Sequence, residues 1–137
     1  MLRSGGRFLF SVWDGVEDNE FAEVVARAVE RLFPDDPPRF IERTPHGYHD
    51  RETIIADLRA GGFDSQPSLE RVRHRSRGAT AQDVATALCE GTPLRGELER
   101  RGRLAEATAV ATTALARRFG ASDLEGRISA QLVTVTK

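Results

Sequence analysis

A short loop in the first half of the chain gathers His46, Tyr48, His49 and Asp50. A histidine next to a carboxylate can take a proton from a reacting group, so we expect His49 and Asp50 to act as catalytic residues. His46 and Tyr48 would then contact the substrate. A structural interpretation stays open beside this one, because an aspartate at a helix start accepts hydrogen bonds from the first exposed amides. In that case Asp50 caps a helix and the histidines are surface loop residues.

A second pair of candidate residues follows an apolar run near the N-terminus. The run begins at Arg7 and ends at Trp13, with Asp14 and Gly15 supplying turn chemistry after it. Such a run predicts a strand that is buried on both faces, as in a parallel sheet. Open α/β sheets bind ligands beyond the carboxyl ends of their strands, so we expect Trp13 and Asp14 to contact substrate.

Metal and thiol chemistry are not expected. No cysteine and no third histidine lie near His46 and His49 in the sequence, whereas metal sites need a larger cluster of ligands. His74 lies on a charged segment and is expected to be solvated. The single cysteine, Cys89, sits among apolar helical residues and is predicted to be a buried packing residue.

The length and net charge of the chain limit the number of domains and the kinds of partner to be expected. With 137 residues and 39% hydrophobic content, the chain is expected to form one domain spanning residues 1–137. Its 20 basic and 21 acidic residues leave a net charge of −1, which argues against nucleic acid or a membrane surface as a partner. The apolar stretches are shorter than a membrane helix needs. We therefore expect a soluble, cytoplasmic protein.

The periodicity of apolar residues predicts alternating strands and helices, which favours an α/β fold. Asn19 is a candidate N-cap for the most regular helix, and Thr80 with Asp83 approximates a capping box for a later one. The charged residues between Leu69 and His74, and the basic run that continues to Arg77, indicate an edge strand. The predicted elements are a strand at 7–13, helices at 19–33 and 50–61, an edge strand at 69–74, helices at 80–91, 93–101 and 104–119, and an inner strand at 127–136.

Two segments carry a resemblance to a known family. Leu2 to Phe10 places a leucine, a basic residue and two glycines before an apolar strand, with Ser4 where proline is usual. Ile54 to Phe63 forms an amphipathic helix that ends in a glycine-phenylalanine pair, where glycine turns the chain and phenylalanine fills the gap between helix and sheet. Both segments resemble class I S-adenosylmethionine-dependent methyltransferases of the ubiquinone-menaquinone methyltransferase-like type. They match the fifth strand of that fold and the helix before its sixth strand.

The resemblance covers essentially the whole chain and implies the C-terminal half of that Rossmann-like fold. Three strands are then expected, with the last one antiparallel and central, and helices packed on the sheet. Residues 79–119 would form a helical insertion that caps the substrate. The activity implied is methyl transfer from S-adenosylmethionine to a small organic acceptor.

The donor-binding loop of that family has no counterpart in this sequence. No G-x-G-x-G segment occurs, and Gly61-Gly62 follows a helix instead of a strand. We therefore expect a truncated family member that binds no cofactor alone. The alternative is a noncatalytic binding or dimerisation module, in which Arg7 to Trp13 pairs with the same strand of a second copy.

Overall fold

A computed structural model describes residues 2–137 as an α/β fold with a three-stranded sheet. The helices and strands alternate much as the apolar periodicity predicts. In chain order they are β1 (Arg7–Trp13), α1 (Glu20–Leu32), α2 (Phe40–Arg43), α3 (Arg51–Ala60), β2 (Ser68–Thr80), α4 (Ala81–Cys89), α5 (Leu94–Arg100), α6 (Leu104–Phe119) and β3 (Ser122–Thr136).

The last strand lies in the middle of the sheet. The order is β1-β3-β2, and β3 is antiparallel to both of its neighbours. In this register Ala130 of β3 lies opposite Trp13 on one side and Val72 on the other. Because both outer strands oppose β3, they run parallel to each other. The predicted central antiparallel strand and the predicted charged edge strand are thus confirmed.

Helices cover different parts of the two sheet faces. On one face α3 places Ile54 and Leu58 against Val133 and Val135, which together form a small buried cluster. On the other face α1, α4, α5 and α6 form the main core, which reaches the start of β3 at Leu124. A second contact is made possible by Gly126, since a Cβ atom there would lie 2.8 Å from the Phe21 ring. One face of the sheet is therefore covered by a single helix, α3, and the other face by the larger group of helices.

Several predicted helix ends agree with the structure. The Asp50 carboxylate accepts a hydrogen bond from the Thr53 amide at 2.7 Å, so it caps α3. The Thr80 hydroxyl accepts from the Asp83 amide at 3.0 Å and caps α4. Cys89 is fully buried, as expected. No helix within residues 2–137 is long and apolar enough to cross a membrane.

Two expectations about the first third of the chain are wrong. β1 is an edge strand, with Leu9 60% exposed, and is not buried on both faces, because only β3 pairs with it and α3 covers one face. Asn19 precedes α1 but its side chain makes no capping bond. The amide is instead used by the turn that follows β1, as described below. The short helix α2 lies in a stretch that periodicity did not assign.

Candidate functional site

A cavity of about 500 Å³ lies between the sheet and the helices beyond the end of β1. The sheet contributes Trp13, Ser76, Arg127 and Ile128, and the helices contribute mostly apolar side chains. Its volume is within the range of about 300–1,000 Å³ typical of small-molecule sites. The remaining lining residues are Asn19, Phe21, Ala22, Phe40, Ile41, Pro45, His46, Val84, Ala87, Leu88, Gly91, Thr92 and Pro93.

The turn at the carboxyl end of β1 is held by the amide side chain of Asn19. Its Nδ2 donates to the carbonyls of Asp14, Gly15 and Ser129 at 3.3, 3.1 and 3.3 Å. Its Oδ1 accepts from the Ser129 amide at 3.0 Å. One buried side chain thereby links β1, β3 and the start of α1, which explains why Asn19 is not free to cap the helix.

His46 is attached to the same turn. Its Nδ1 lies 2.9 Å from the Asp14 carbonyl oxygen, and because a carbonyl only accepts, Nδ1 must carry the proton and donate it. The ring is 7% exposed and lines the cavity. Nε2 makes no hydrogen bond to any other residue in 2–137. Burial lowers the pKa of His46 below its usual 6.5, although the bond to Asp14 opposes this, so the ring is neutral near pH 7 with a lone pair on Nε2.

The carboxylate of Asp14 points into the protein and away from the cavity lining. It is 1% exposed and is paired with Arg71, whose Nε lies 3.1 Å from Oδ2. The Ser129 hydroxyl donates to the same oxygen at 2.5 Å. Asp14 therefore orients His46 through its backbone carbonyl, while its side chain ties β1 to β2 and β3.

The four residues predicted in the loop are separated by the fold. Asp50 bonds Thr53, as above, and His49 donates from Nδ1 to the His46 carbonyl at 2.7 Å. Tyr48 donates to Asp57 at 2.8 Å, and burial together with this bond raises the pKa of Tyr48 above its usual 10.0. Of the four, only His46 lines the cavity of about 500 Å³. His49 supports the His46 backbone instead of facing the same space.

Trp13 and His46 are the predicted substrate contacts that the structure brings together. Their ring centroids are 6.2 Å apart, with the planes tilted by 46°. Trp13 also borders a smaller cavity of about 320 Å³, which Tyr48 and Pro45 line as well. Trp13 is 42% exposed, and its indole borders both cavities.

Sequence reasoning missed the residues that hold the site together. The sequence predicts a helix cap at Asn19, a charged edge strand at Arg71 and no particular role for Ser129. All three contact Asp14 across 5, 57 and 115 positions of sequence, respectively. A buried Asn or Ser gives no signal in periodicity, so only the turn after an apolar strand could have pointed to them.

The buried amide of Gln131 adds a further polar group beneath the sheet. Its Nε2 donates to the His49 carbonyl at 2.6 Å, whereas its Oε1 is buried without a partner within the described chain. Gln131 therefore fixes the loop that carries His46 and His49, and it does so from the face of β3 that α3 covers.

S-adenosylmethionine does not fit the turn after β1. A nucleoside-binding turn needs free backbone amides and close approach at glycines. Here the Asp14 amide donates to the Ser129 carbonyl at 3.1 Å and the Asp18 amide donates to the Gly15 carbonyl at 3.0 Å, while the Glu17 carboxylate fills the space beside Gly15. Among residues 2–137, no group of three or more His, Cys, Asp or Glu side chains is placed to share a metal ion.

Comparison with protein-family models and with curated proteins finds no match to this chain. What the site can do therefore follows from its own geometry. An apolar cavity beyond a strand end, with one tautomer-fixed imidazole at its wall, can enclose a small molecule and accept a proton from it.

Proposed function

We propose that this chain is the acceptor-binding half of a class I S-adenosylmethionine-dependent methyltransferase acting on a small organic molecule. The observation that carries the proposal is the sheet order, in which β3 lies antiparallel between the mutually parallel β1 and β2. The family resemblance implies this arrangement for the second half of the fold, and this is the support for the proposal. The helices between β2 and β3 give further support, because α4 and the turn after it line the cavity in which an acceptor would bind.

The donor would be held by polypeptide outside these 137 residues. When bound there, S-adenosylmethionine supplies an electrophilic methyl group. The residues of this chain would enclose the acceptor, exclude water and receive its proton at His46. His49 and Asp50 remain candidates for catalysis by sequence alone, but their observed bonds make His46 the better placed base.

The gene itself offers the first test. We expect the DNA directly upstream of the codon for Met1 to encode, in frame, a strand followed by a glycine-rich loop. The longer protein should then bind S-adenosylmethionine one-to-one by calorimetry, whereas the 137-residue chain should not. An upstream sequence without such a loop, or a longer protein that binds no donor, would overturn the proposal.

A second candidate function is a noncatalytic assembly module that pairs β1 with β1 of a second copy. Within residues 2–137 no strand pairs with the outer edge of β1, and Phe8, Leu9 and Trp13 are 39%, 60% and 42% exposed. The Asp14 amide donates to Ser129 of β3, so alternation along the strand turns the amides of Leu9, Ser11 and Trp13 outward. Antiparallel pairing about Phe10 would place Arg7 against the partner copy's indole.

Light scattering at high protein concentration separates this candidate from a monomeric half-domain. We expect a dimer for the native chain and a monomer for Leu9→Lys, since a charge on an exposed edge strand opposes pairing. Ser68→Lys, on the other edge of the sheet, is the matched control and should leave the dimer intact. A native chain that stays monomeric excludes the module.

A further inference from the structure

We propose that the cavity beyond β1 binds a flat, uncharged aromatic molecule that carries one hydroxyl group, with this hydroxyl donating a hydrogen bond to His46 Nε2. The ligand class is that of phenols and naphthols. Its description as a methyl acceptor rests on the proposed function above, but its binding does not.

The lining sets the apolar character of the ligand. Phe21 comes from α1, Phe40 and Ile41 come from α2, and Val84 and Leu88 come from α4. Trp13 and Ile128 complete the apolar wall from the sheet. Water in such a space has few hydrogen-bond partners, so an apolar ring that replaces it is favoured. A polyhydroxylated ligand such as a sugar would leave most of its hydroxyls unpaired at these side chains.

The charges around the cavity exclude a cationic ligand. Among the described lining residues there is no aspartate or glutamate. The one charged side chain is Arg127, and its guanidinium is already bonded to the carbonyls of Asp18 and Glu17 at 3.3 and 3.1 Å. A neutral ligand therefore fits better than an ammonium group, which would face an arginine without a counter-ion.

His46 supplies one directional polar contact. Because Nδ1 donates to the Asp14 carbonyl, the neutral ring can only accept at Nε2. A ligand hydroxyl, which donates, matches this lone pair, whereas an ether or ketone at the same place does not. The Trp13 ring, centred 6.2 Å from the imidazole, gives the aromatic part of the ligand a face beside that hydroxyl.

Calorimetric titration of the native chain with 2-naphthol and with 2-methoxynaphthalene tests the inference without any variant. The two ligands share their rings, but only the first can donate. We expect 2-naphthol to bind about ten-fold more tightly, as one hydrogen bond to a buried acceptor provides. Equal affinities, or no binding of 2-naphthol, would overturn the inference.

The preference for 2-naphthol over 2-methoxynaphthalene should also disappear on acidification. Protonated His46 carries N–H groups on both nitrogens and no longer accepts, so the ratio should fall toward one as the pH drops below 6.5 and through the lowered pKa of His46. Glu17 raises that pKa, His49 lowers it, and Arg127 faces the same cavity. The protonation of His46 is followed by its imidazole NMR signal, and a ten-fold ratio that persists after that signal has titrated would assign the contact to another residue.

A variant pair locates the binding site. Ala87 lies on α4 at the cavity and Ala109 lies on α6 away from it, and both are exposed helical alanines. Ala87→Trp should abolish 2-naphthol binding, and Ala109→Trp should leave it unchanged. Unchanged binding to a folded Ala87→Trp protein would place the ligand elsewhere. If the longer protein binds no S-adenosylmethionine, the ligand loses its description as a methyl acceptor, but the proposal that the cavity binds it still stands.

Discussion

Replacing Asn19 by alanine should destabilise the protein by about 3 kcal/mol, which is large for a single polar residue. The two amide hydrogens and the carbonyl oxygen of Asn19 are all used inside the protein, against Asp14, Gly15 and Ser129. At about 1 kcal/mol for each of three effective hydrogen bonds, the loss is about 3 kcal/mol, and the buried Ser129 amide left unpaired adds to it. In urea unfolding, the midpoint should fall accordingly.

An amide on the surface provides the control for that measurement. Gln82 is exposed on α4, so Gln82→Ala should change stability by less than about 0.5 kcal/mol. For a protein of this size, 3 kcal/mol corresponds to a lowering of the melting temperature by about 10 °C. If Asn19→Ala unfolds within 1 kcal/mol of the native chain, the turn does not depend on this side chain and our account of it is wrong.

Three further predictions concern other parts of the molecule. Cys89, whose pKa burial raises to about 11, should resist thiol reagents until the protein is unfolded, so rapid labelling of native protein would show an open core. Arg71→Leu should cost about 2 kcal/mol in chemical denaturation by leaving the Asp14 carboxylate without its ion pair, and a neutral result would mean that Ser129 suffices. The hydrogen bonds from Thr53 lower the pKa of Asp50. The stabilising effect of its carboxylate should therefore be present above pH 3.8 and be lost as the pH falls through the lowered pKa. A difference in unfolding free energy between the native and Asp50→Ala proteins that grows on acidification would contradict the cap.

Local patterns were sufficient for most of the helices. The alanine-rich stretch forms α6 at Leu104–Phe119, the range that its composition indicates. Asp50 and Thr80 cap the helices that follow them, because a capping bond spans only a few residues. The charged edge of β2 was also predictable, since Arg75 and Arg77 pair with Glu125 on the solvent side of the sheet.

Such local patterns do not predict contacts between residues that are far apart in the sequence. The apolar residues of β1 suggested burial on both faces, yet hydrophobicity alone does not say whether a strand has one neighbour or two. The loop residues His46 to Asp50 are close in sequence but face different directions, as the bonds of Tyr48 and His49 show. The cavity joins residues of β1, α1, α4 and β3, so it exists only after the sheet has formed.

The stability of the turn after β1 and the chemistry of His46 depend on the same carbonyl group. The Asp14 oxygen accepts from both Asn19 and His46, so it positions the imidazole only while Asn19 holds the turn. Asn19→Ala should therefore weaken the preference for 2-naphthol over its methyl ether as well as lower stability. Arg71→Leu acts on the Asp14 side chain and should lower stability while leaving that preference intact. If both variants lose the preference equally, the ion pair and the carbonyl act on His46 as one unit, and the backbone contact alone does not set its tautomer.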